Sequence, residues 1–294
     1  MTDAPNAVGG AVASGIVKPN RALLISGVFN FLGVAFNAGI FSRVTKNVYE
    51  LAGVGGTVET SQICAVLCAT IIFALFAWVF GIPTSESHAL MGALLGTAFA
   101  SGEVTSTVSK AFWSVVLGFF VSVVGGFVIT FVLAKLLKKV CIKLGYKIPL
   151  VLAAALNSFL HGSQDGQKFI ALALLFLNSD STFTFVLLVA TFMALGTICG
   201  GGRILKKICF EAVVLEEKEG VAAELGGTAC LLFATLLGFP VSTTYTKTLA
   251  LVGASSAGGI SKVRFNDFTK IVATWVITYP CSAFLSYVLT KLLT

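Results

Sequence analysis

Six runs of about twenty apolar residues, at 22–41, 63–82, 112–133, 183–202, 221–239 and 271–289, limit what this chain can fold into more than any other feature. Each is long enough, at about 1.5 Å of rise per residue, for an α-helix to cross a hydrocarbon core about 30 Å thick. Within such a core every backbone N–H and C=O must find a partner inside the protein, which leaves helices or a closed barrel. No period-two alternation with turn signals marks a barrel. The sequence therefore predicts an all-α integral membrane protein, a multi-pass helical bundle in the cell membrane with the lipid bilayer as its surroundings.

Composition agrees, with 56% hydrophobic and 11% charged residues, against about 25% charged in ordinary soluble domains. The net charge of +7 does not point to nucleic acid, because the basic residues gather at the ends of apolar runs. Lys135, Lys138, Lys139, Lys143 and Lys147 form one cluster, and Arg203, Lys206 and Lys207 another. The positive-inside rule reads both as cytoplasmic. The seven cysteines form no CxxC pair and are read as small packing residues. Nothing resembles a nucleotide-binding Gly-x-x-x-x-Gly-Lys-Ser/Thr loop, so neither ATP-driven chemistry nor an enzyme is expected.

Two polar stretches interrupt the apolar pattern in parallel fashion. Thr2-Asp3-Ala4-Pro5-Asn6-Ala7 and Gln164-Asp165-Gly166-Gln167-Lys168-Phe169 each put a carboxylate beside amides. Each is followed by a Gly-x-Pro and a hydroxyl-rich stretch, Gly81-Ile82-Pro83-Thr84-Ser85-Glu86-Ser87-His88 and Gly238-Phe239-Pro240-Val241-Ser242-Thr243-Thr244-Tyr245. Ordered recurrence predicts a duplication, with one repeat at 1–147 and a second at 148–294. Internal repeats with discontinuous helices are how many secondary transporters build a midplane site. Gly162 and Gly166 bracket Asp165, which predicts two half-helices, 149–160 and 169–177, meeting at the motif. The stretches 83–100 and 240–256 are short of a full span and read as re-entrant or short helices, each starting at its proline.

A carboxylate at membrane depth costs at least about 2.5 kcal/mol on insertion scales, so it usually faces a cavity and works there. Asp3 and Asp165 would offer hard oxygens to a small cation or carry a proton. Ser85, Ser87, Ser242, Thr243 and Thr244, beside helix N-termini, would donate to the oxygens of an anion. The bland alternative is hydroxyls bonded back to their own helices. Lys168 stands three residues beyond Asp165, where it either pairs with that carboxylate or offers fixed positive charge to an anion. Glu224, in Val221-Ala222-Ala223-Glu224-Leu225, is a further candidate cation ligand; the alternative is a pair with a nearby base at the membrane edge. His88, His161 and Tyr245 are weaker candidates, and Glu86 is expected to point away from an anion, or to be protonated or paired.

At these residues the chain resembles the inorganic phosphate transporter (PiT) family, whose pattern places a Gly-x-Asn-Asp-x-x-Asn-Ala type motif and a Pro-x-Ser-Ser/Thr-Thr/Ser-His in each half. His161-Gly162-Ser163-Gln164-Asp165-Gly166-Gln167-Lys168 is similar to the bacterial branch, which carries Gln-Lys after the aspartate. The resemblance implies two inverted repeats with phosphate held between them, and symport of sodium or protons by alternating access. By position, Ser85, Ser87, Ser242, Thr243, Thr244 and Lys168 would meet the anion. Asp3, Asn6, Gln164, Asp165 and Glu224 would hold or relay the coupling cation, with Asp3 and Asp165 as metal ligands if that cation is sodium. No other cofactor is implied, and a homo-oligomer is compatible with the pattern.

Four departures stand out: Thr2 and Gln164 replace amides of the motif, Glu86 enters the serine stretch, and Tyr245 stands where histidine is usual. Only Met1 and Thr2 precede Asp3. The half-helix that precedes the second motif therefore has no counterpart in the first, which predicts an N-terminally truncated chain in which Asp3 lacks a packed partner. A sulfate permease, an anion channel and a non-transporting paralogue are the alternatives.

Overall fold

The computed structural model describes residues 3–37, 59–82, 84–102, 104, 106–139, 145–173, 182–207, 209, 213–239, 241–259, 261 and 263–294. Beyond an isolated bridge between Val213 and Val263, the described residues contain no strand. A 3-10 turn, Ala4–Val8, leads into the short α1 (Gly9–Ala13) and then α2 (Pro19–Asn37). The chain continues through α3 (Thr60–Val79), α4 (Glu86–Ser101) and α5 (Ser106–Phe120), then a π-turn at Val121–Gly125 and α6 (Gly126–Lys138). After these come α7 (Lys147–Ala173), α8 (Thr182–Gly200), α9 (Gly202–Lys206), α10 (Glu217–Leu237), α11 (Thr243–Gly258) and α12 (Phe265–Leu293). Among the described residues six helical spans are long and apolar enough to cross a membrane, and they overlap all six runs read from the sequence.

The outer helices carry bulky apolar side chains on their exposed faces, among them Phe36, Phe192, Val276 and Phe284. An exposed apolar belt of this size suits lipid rather than water. The interior combines apolar clusters with buried polar residues, among them Asp3, Asp165, Lys168, Glu224 and Lys247.

Local chemistry sets the helix starts in matching ways. Gln62 Oε1 accepts the Glu59 N–H (3.2 Å) at the start of α3, and Glu219 Oε2 accepts the Glu216 N–H (2.9 Å) at the start of α10. Both satisfy an N-terminal amide that the helix leaves orphaned. Ser85 and Ser242, separated by 157 residues, are the N-caps of α4 and α11; each hydroxyl accepts the N–H three residues on, of His88 and Tyr245. At 16 residues each, α4 and α11 are about 24 Å long and too short to span, as expected. Their start differs from expectation. The helices begin at Glu86 and Thr243, capped by serines, rather than at the prolines; Pro83 and Pro240 themselves lie outside the described residues.

A second correction concerns the motif around Asp165. Instead of two half-helices, α7 runs unbroken for 27 residues through Gly162 and Gly166. The glycines serve contact, not a break. A Cβ on Gly162 would collide with the Asn30 carbonyl of α2, and one on Gly33 of α2 would collide with the Phe159 carbonyl of α7. Small residues let two membrane helices approach backbone to backbone. A continuous helix also sets His161, Asp165 and Lys168 on one face, at spacings of four and three. Irregularity lies instead in the π-turn between α5 and α6 and at Pro280 inside α12, both recognised causes of helix bends.

Candidate functional site

The N-termini of α4 and α11 meet at the centre of the bundle, where Ser242 Oγ donates to Ser85 Oγ at 2.8 Å. Two helix N-termini aimed at one place concentrate positive dipole ends and donors there. The Ser242 N–H is taken by Ser122 Oγ of the π-turn at 3.1 Å, so the irregular turn positions a donor cap.

Asp3 and Asp165 approach this junction with equivalent contacts. Asp3 Oδ1 accepts from Thr244 Oγ1 (2.5 Å), across the sequence halves, and Oδ2 accepts the Glu86 N–H (3.0 Å). Asp165 Oδ1 accepts from Ser87 Oγ (3.1 Å), again across the halves, and Oδ2 accepts from Thr243 Oγ1 (3.1 Å). Each acid thus bonds the α4 or α11 start of its own half and a hydroxyl of the other. The correspondence extends to the next residues: Asn6 Nδ2 donates to Thr244 Oγ1 at 3.0 Å, as Lys168 Nζ donates to Ser87 Oγ at 2.6 Å.

Both acids are buried, at 2% and 5% exposure. This corrects the expectation that Asp3 lacks a packed partner. Thr244 and the start of α4 hold it.

The hydroxyls are brought together as expected, but each already has its proton committed. Ser87 and Thr243 donate to Asp165, Thr244 to Asp3 and Ser242 to Ser85, while Ser85 faces His88 Nδ1 at 3.0 Å. Ser85 Oγ accepts from both Ser242 Oγ and the His88 N–H, so its own proton points at His88 Nδ1 when the imidazole carries its hydrogen on Nε2. His88 in turn stacks on Tyr245 (ring centroids 4.6 Å apart), and Tyr245 packs against Trp275 (4.2 Å). The tyrosine in place of a histidine is therefore part of an aromatic stack beside the site.

Lys168 departs from the anion-facing role expected of it. Its ammonium donates to Asp165 Oδ1 (2.6 Å), Ser87 Oγ (2.6 Å) and Val241 O (2.9 Å). An ammonium has three donors, and all three are spent within the protein. His161 Nε2 lies 2.9 Å from Asp165 Oδ2, and its Nδ1 lies 2.7 Å from Asn30 Oδ1. Asn30 then donates to Ser26 Oγ (3.1 Å), which donates to Ala4 O (3.2 Å). A chain of polar contacts through α2 therefore joins Asp165 to the residue after Asp3. The carboxamide oxygens of Asn6 and Gln164 are buried with no hydrogen-bond partner among the described residues, while Gln164 Nε2 is anchored on Thr235 Oγ1 at 2.7 Å. Orphaned oxygens beside carboxylates are a donor set that suits a hard cation.

Glu224 lies elsewhere, and its expected role as a cation ligand does not match its surroundings. Its Oε2 accepts from Lys247 Nζ and Asn157 Nδ2, both at 2.7 Å, and its Oε1 accepts the N–H groups of Gly10 (2.7 Å) and Ala11 (3.2 Å). Four protein donors fill the carboxylate. The pair is buried in the interior. Lys247 and Asn157 escaped the sequence reading. At the same separation of 157 residues that relates Ser85 to Ser242, Glu224 and Lys247 correspond to Leu67 and Leu90. That joint change from two leucines to two opposite charges was the signal available in the sequence.

The model of the phosphate transporter family matches residues 1–148 and 141–286. The chain is 32% identical to a probable low-affinity inorganic phosphate transporter of Rhizobium meliloti (strain 1021), over 97% of this chain and 89% of the relative. It is 30% identical to a protein of the same description from Bacillus subtilis (strain 168), over 96% of this chain and 88% of the relative. The fold matches a solved structure described as the sodium-dependent phosphate transporter, with a TM-score of 0.83 at 20% identity, covering 99% of this chain and 94% of that one. With two buried acids, crossed hydroxyls and six apolar spans in one bundle, this chain belongs to the phosphate transporter family and is a multi-pass membrane protein, not an enzyme.

Proposed function

We propose that the protein is a secondary active transporter that carries inorganic phosphate together with sodium ions or protons, by alternating access between two halves, 1–147 and 148–294. The observation that carries this reading is the commitment of the hydroxyl protons of Ser87, Thr243 and Thr244 to Asp165 and Asp3. A hydroxyl has one proton to give. While it points at a carboxylate it cannot also donate to an anion.

A cation or proton on Asp3, assisted by the Asn6 oxygen, weakens the pull of that carboxylate on Thr244 and releases the hydroxyl toward phosphate. Cation and anion then bind each other's site more tightly by the same factor, as linkage requires. Ser85 and Ser242 hold the N-termini of α4 and α11 together, and the positive dipole ends of these helices favour the anion there. Gln164 lies beside Asp165 with its free oxygen available to the same cation pathway. Phosphate suits the acid-rich site better than sulfate, because at neutral pH it keeps a proton that a carboxylate can accept.

The test is uptake of radiolabelled phosphate into proteoliposomes under imposed sodium or proton gradients, with sulfate as competitor. The expected result is accumulation that needs one of the two gradients and is competed weakly by sulfate. Flux that ignores both gradients would sink the symport reading, and uptake blocked equally by sulfate would sink the choice of anion.

A further inference from the structure

The two halves of the site share their carboxylate–hydroxyl contacts but differ in what else faces the acid. Asp165 has Lys168 and His161 beside it where the first half has the Asn6 amide near Asp3, and the difference at Lys168 has a consequence for coupling. In the first half an amide, a hydroxyl and a carboxylate are connected in series: Asn6 Nδ2 donates to Thr244 Oγ1, which donates to Asp3 Oδ1. In the second half the series is ammonium, hydroxyl, carboxylate: Lys168 Nζ donates to Ser87 Oγ, which donates to Asp165 Oδ1. Among the described residues the Asn6 oxygen has no hydrogen-bond partner, and the Asp3 carboxylate is bonded by a neutral hydroxyl and a backbone amide. Lys168 does the opposite. It closes the triangle by contacting Asp165 directly at 2.6 Å, and its third proton is fixed on Val241 O.

We propose that the Lys168 ammonium is a tethered substitute for one coupling cation. It permanently fills the place beside Asp165 that the first half leaves for a mobile ion beside Asp3, so this protein moves one positive charge fewer per phosphate than it would with an amide at 168. The inference rests on the symport reading above and adds to it the number of ions.

Three features support the assignment over a simple anion clamp or a remote structural pair. The ammonium has no N–H left for an anion, it is 1% exposed, and it shares Ser87 with the carboxylate it neutralises. A buried carboxylate with no counter-charge is costly, and a tethered cation meets that cost in every conformation. It therefore contributes no differential affinity between gating states, which is what a coupling ion must have.

The test compares the wild type with Lys168→Asn, which recreates the chemistry of Asn6. The reversal potential of phosphate flux in proteoliposomes counts the charges moved per phosphate, whether sodium or protons carry them. The variant is expected to move one more positive charge than the wild type, and an equal count overturns the proposal. A second measurement needs no transport: thermal unfolding in detergent across a sodium chloride series and a pH series, with choline chloride as the ionic-strength control. Sodium or acid is expected to raise the melting temperature of Lys168→Asn more than that of the wild type, and equal responses overturn the proposal. If the variant unfolds in choline, sodium or acid during purification is expected to recover it, and failure to do so counts against the proposal. Should wild-type vesicles show no gradient-driven uptake, the symport reading falls, while the unfolding comparison still decides whether Lys168 replaces a bound cation.

Discussion

Asp165→Asn is expected to lower folding stability by about 3–5 kcal/mol, the range for breaking a buried ion pair by removing one partner. The ammonium of Lys168 would remain at 1% exposure with Ser87, a carbonyl and a neutral amide oxygen in place of its counter-charge. Uptake is expected to fall at least about a hundredfold, since the hydroxyls of Ser87 and Thr243 lose the charged acceptor that orders them, bonds to it being worth about 1.5–3 kcal/mol against about 1 kcal/mol for a neutral bond, and the site keeps an unpaired ammonium. Asp165→Asn combined with Lys168→Met removes both charges and is expected to recover most of the stability without recovering uptake. Thermal unfolding in detergent and uptake in proteoliposomes read the two effects separately. Equal stability of the single variant and the wild type would show that the pair is not the anchor its geometry suggests.

The second large effect concerns Glu224 and Lys247. Either Glu224→Leu or Lys247→Leu alone leaves a buried charge with amide or carbonyl partners only, again at a cost of about 3–5 kcal/mol. The double variant reproduces the Leu67 and Leu90 pairing of the first half. Apolar replacement of a complete buried pair is often neutral or stabilising, so the double variant is expected to melt close to the wild type and to keep phosphate uptake. Loss of uptake in a well-folded double variant would return Glu224 to the list of coupling residues, against its placement outside the site. Asn157 and the amides of Gly10 and Ala11, which also bond Glu224, set a limit on how fully stability recovers.

The membrane bundle was legible because hydropathy over about twenty residues is a local property, and each of the six runs from 22–41 to 271–289 became a span. The site was legible in its members because Asp3, Asp165 and the hydroxyls recur in order, and recurrence survives without knowledge of distance. Their pairing was not. That Thr244 bonds Asp3 and Ser87 bonds Asp165, across more than seventy residues in each case, follows from how α4 and α11 meet, which no local pattern contains. Gly162 and Gly166 misled for a physical reason: a glycine that breaks a helix and one that admits a neighbouring backbone look alike in sequence, and only α2 lying against α7 distinguishes them. For Lys168 the spacing of three on a helix, a local property, allowed either a pair with Asp165 or an anion-facing charge, and the expected anion-facing role is not the one its contacts fit. The exhaustion of its donors by Ser87 and Val241 was not visible, since both acceptors come from other parts of the chain.

The central claim is that carboxylate and anion compete for shared hydroxyls and that a cation relieves this competition, and phosphate binding to purified protein at a series of sodium concentrations and pH values tests it most directly. The account predicts that apparent phosphate affinity rises with the coupling cation in the wild type. In Asp3→Asn, where the neutral side chain no longer attracts a cation, phosphate binding is expected to lose that dependence. Phosphate affinity in the wild type that is the same at every sodium concentration and every pH would contradict the account.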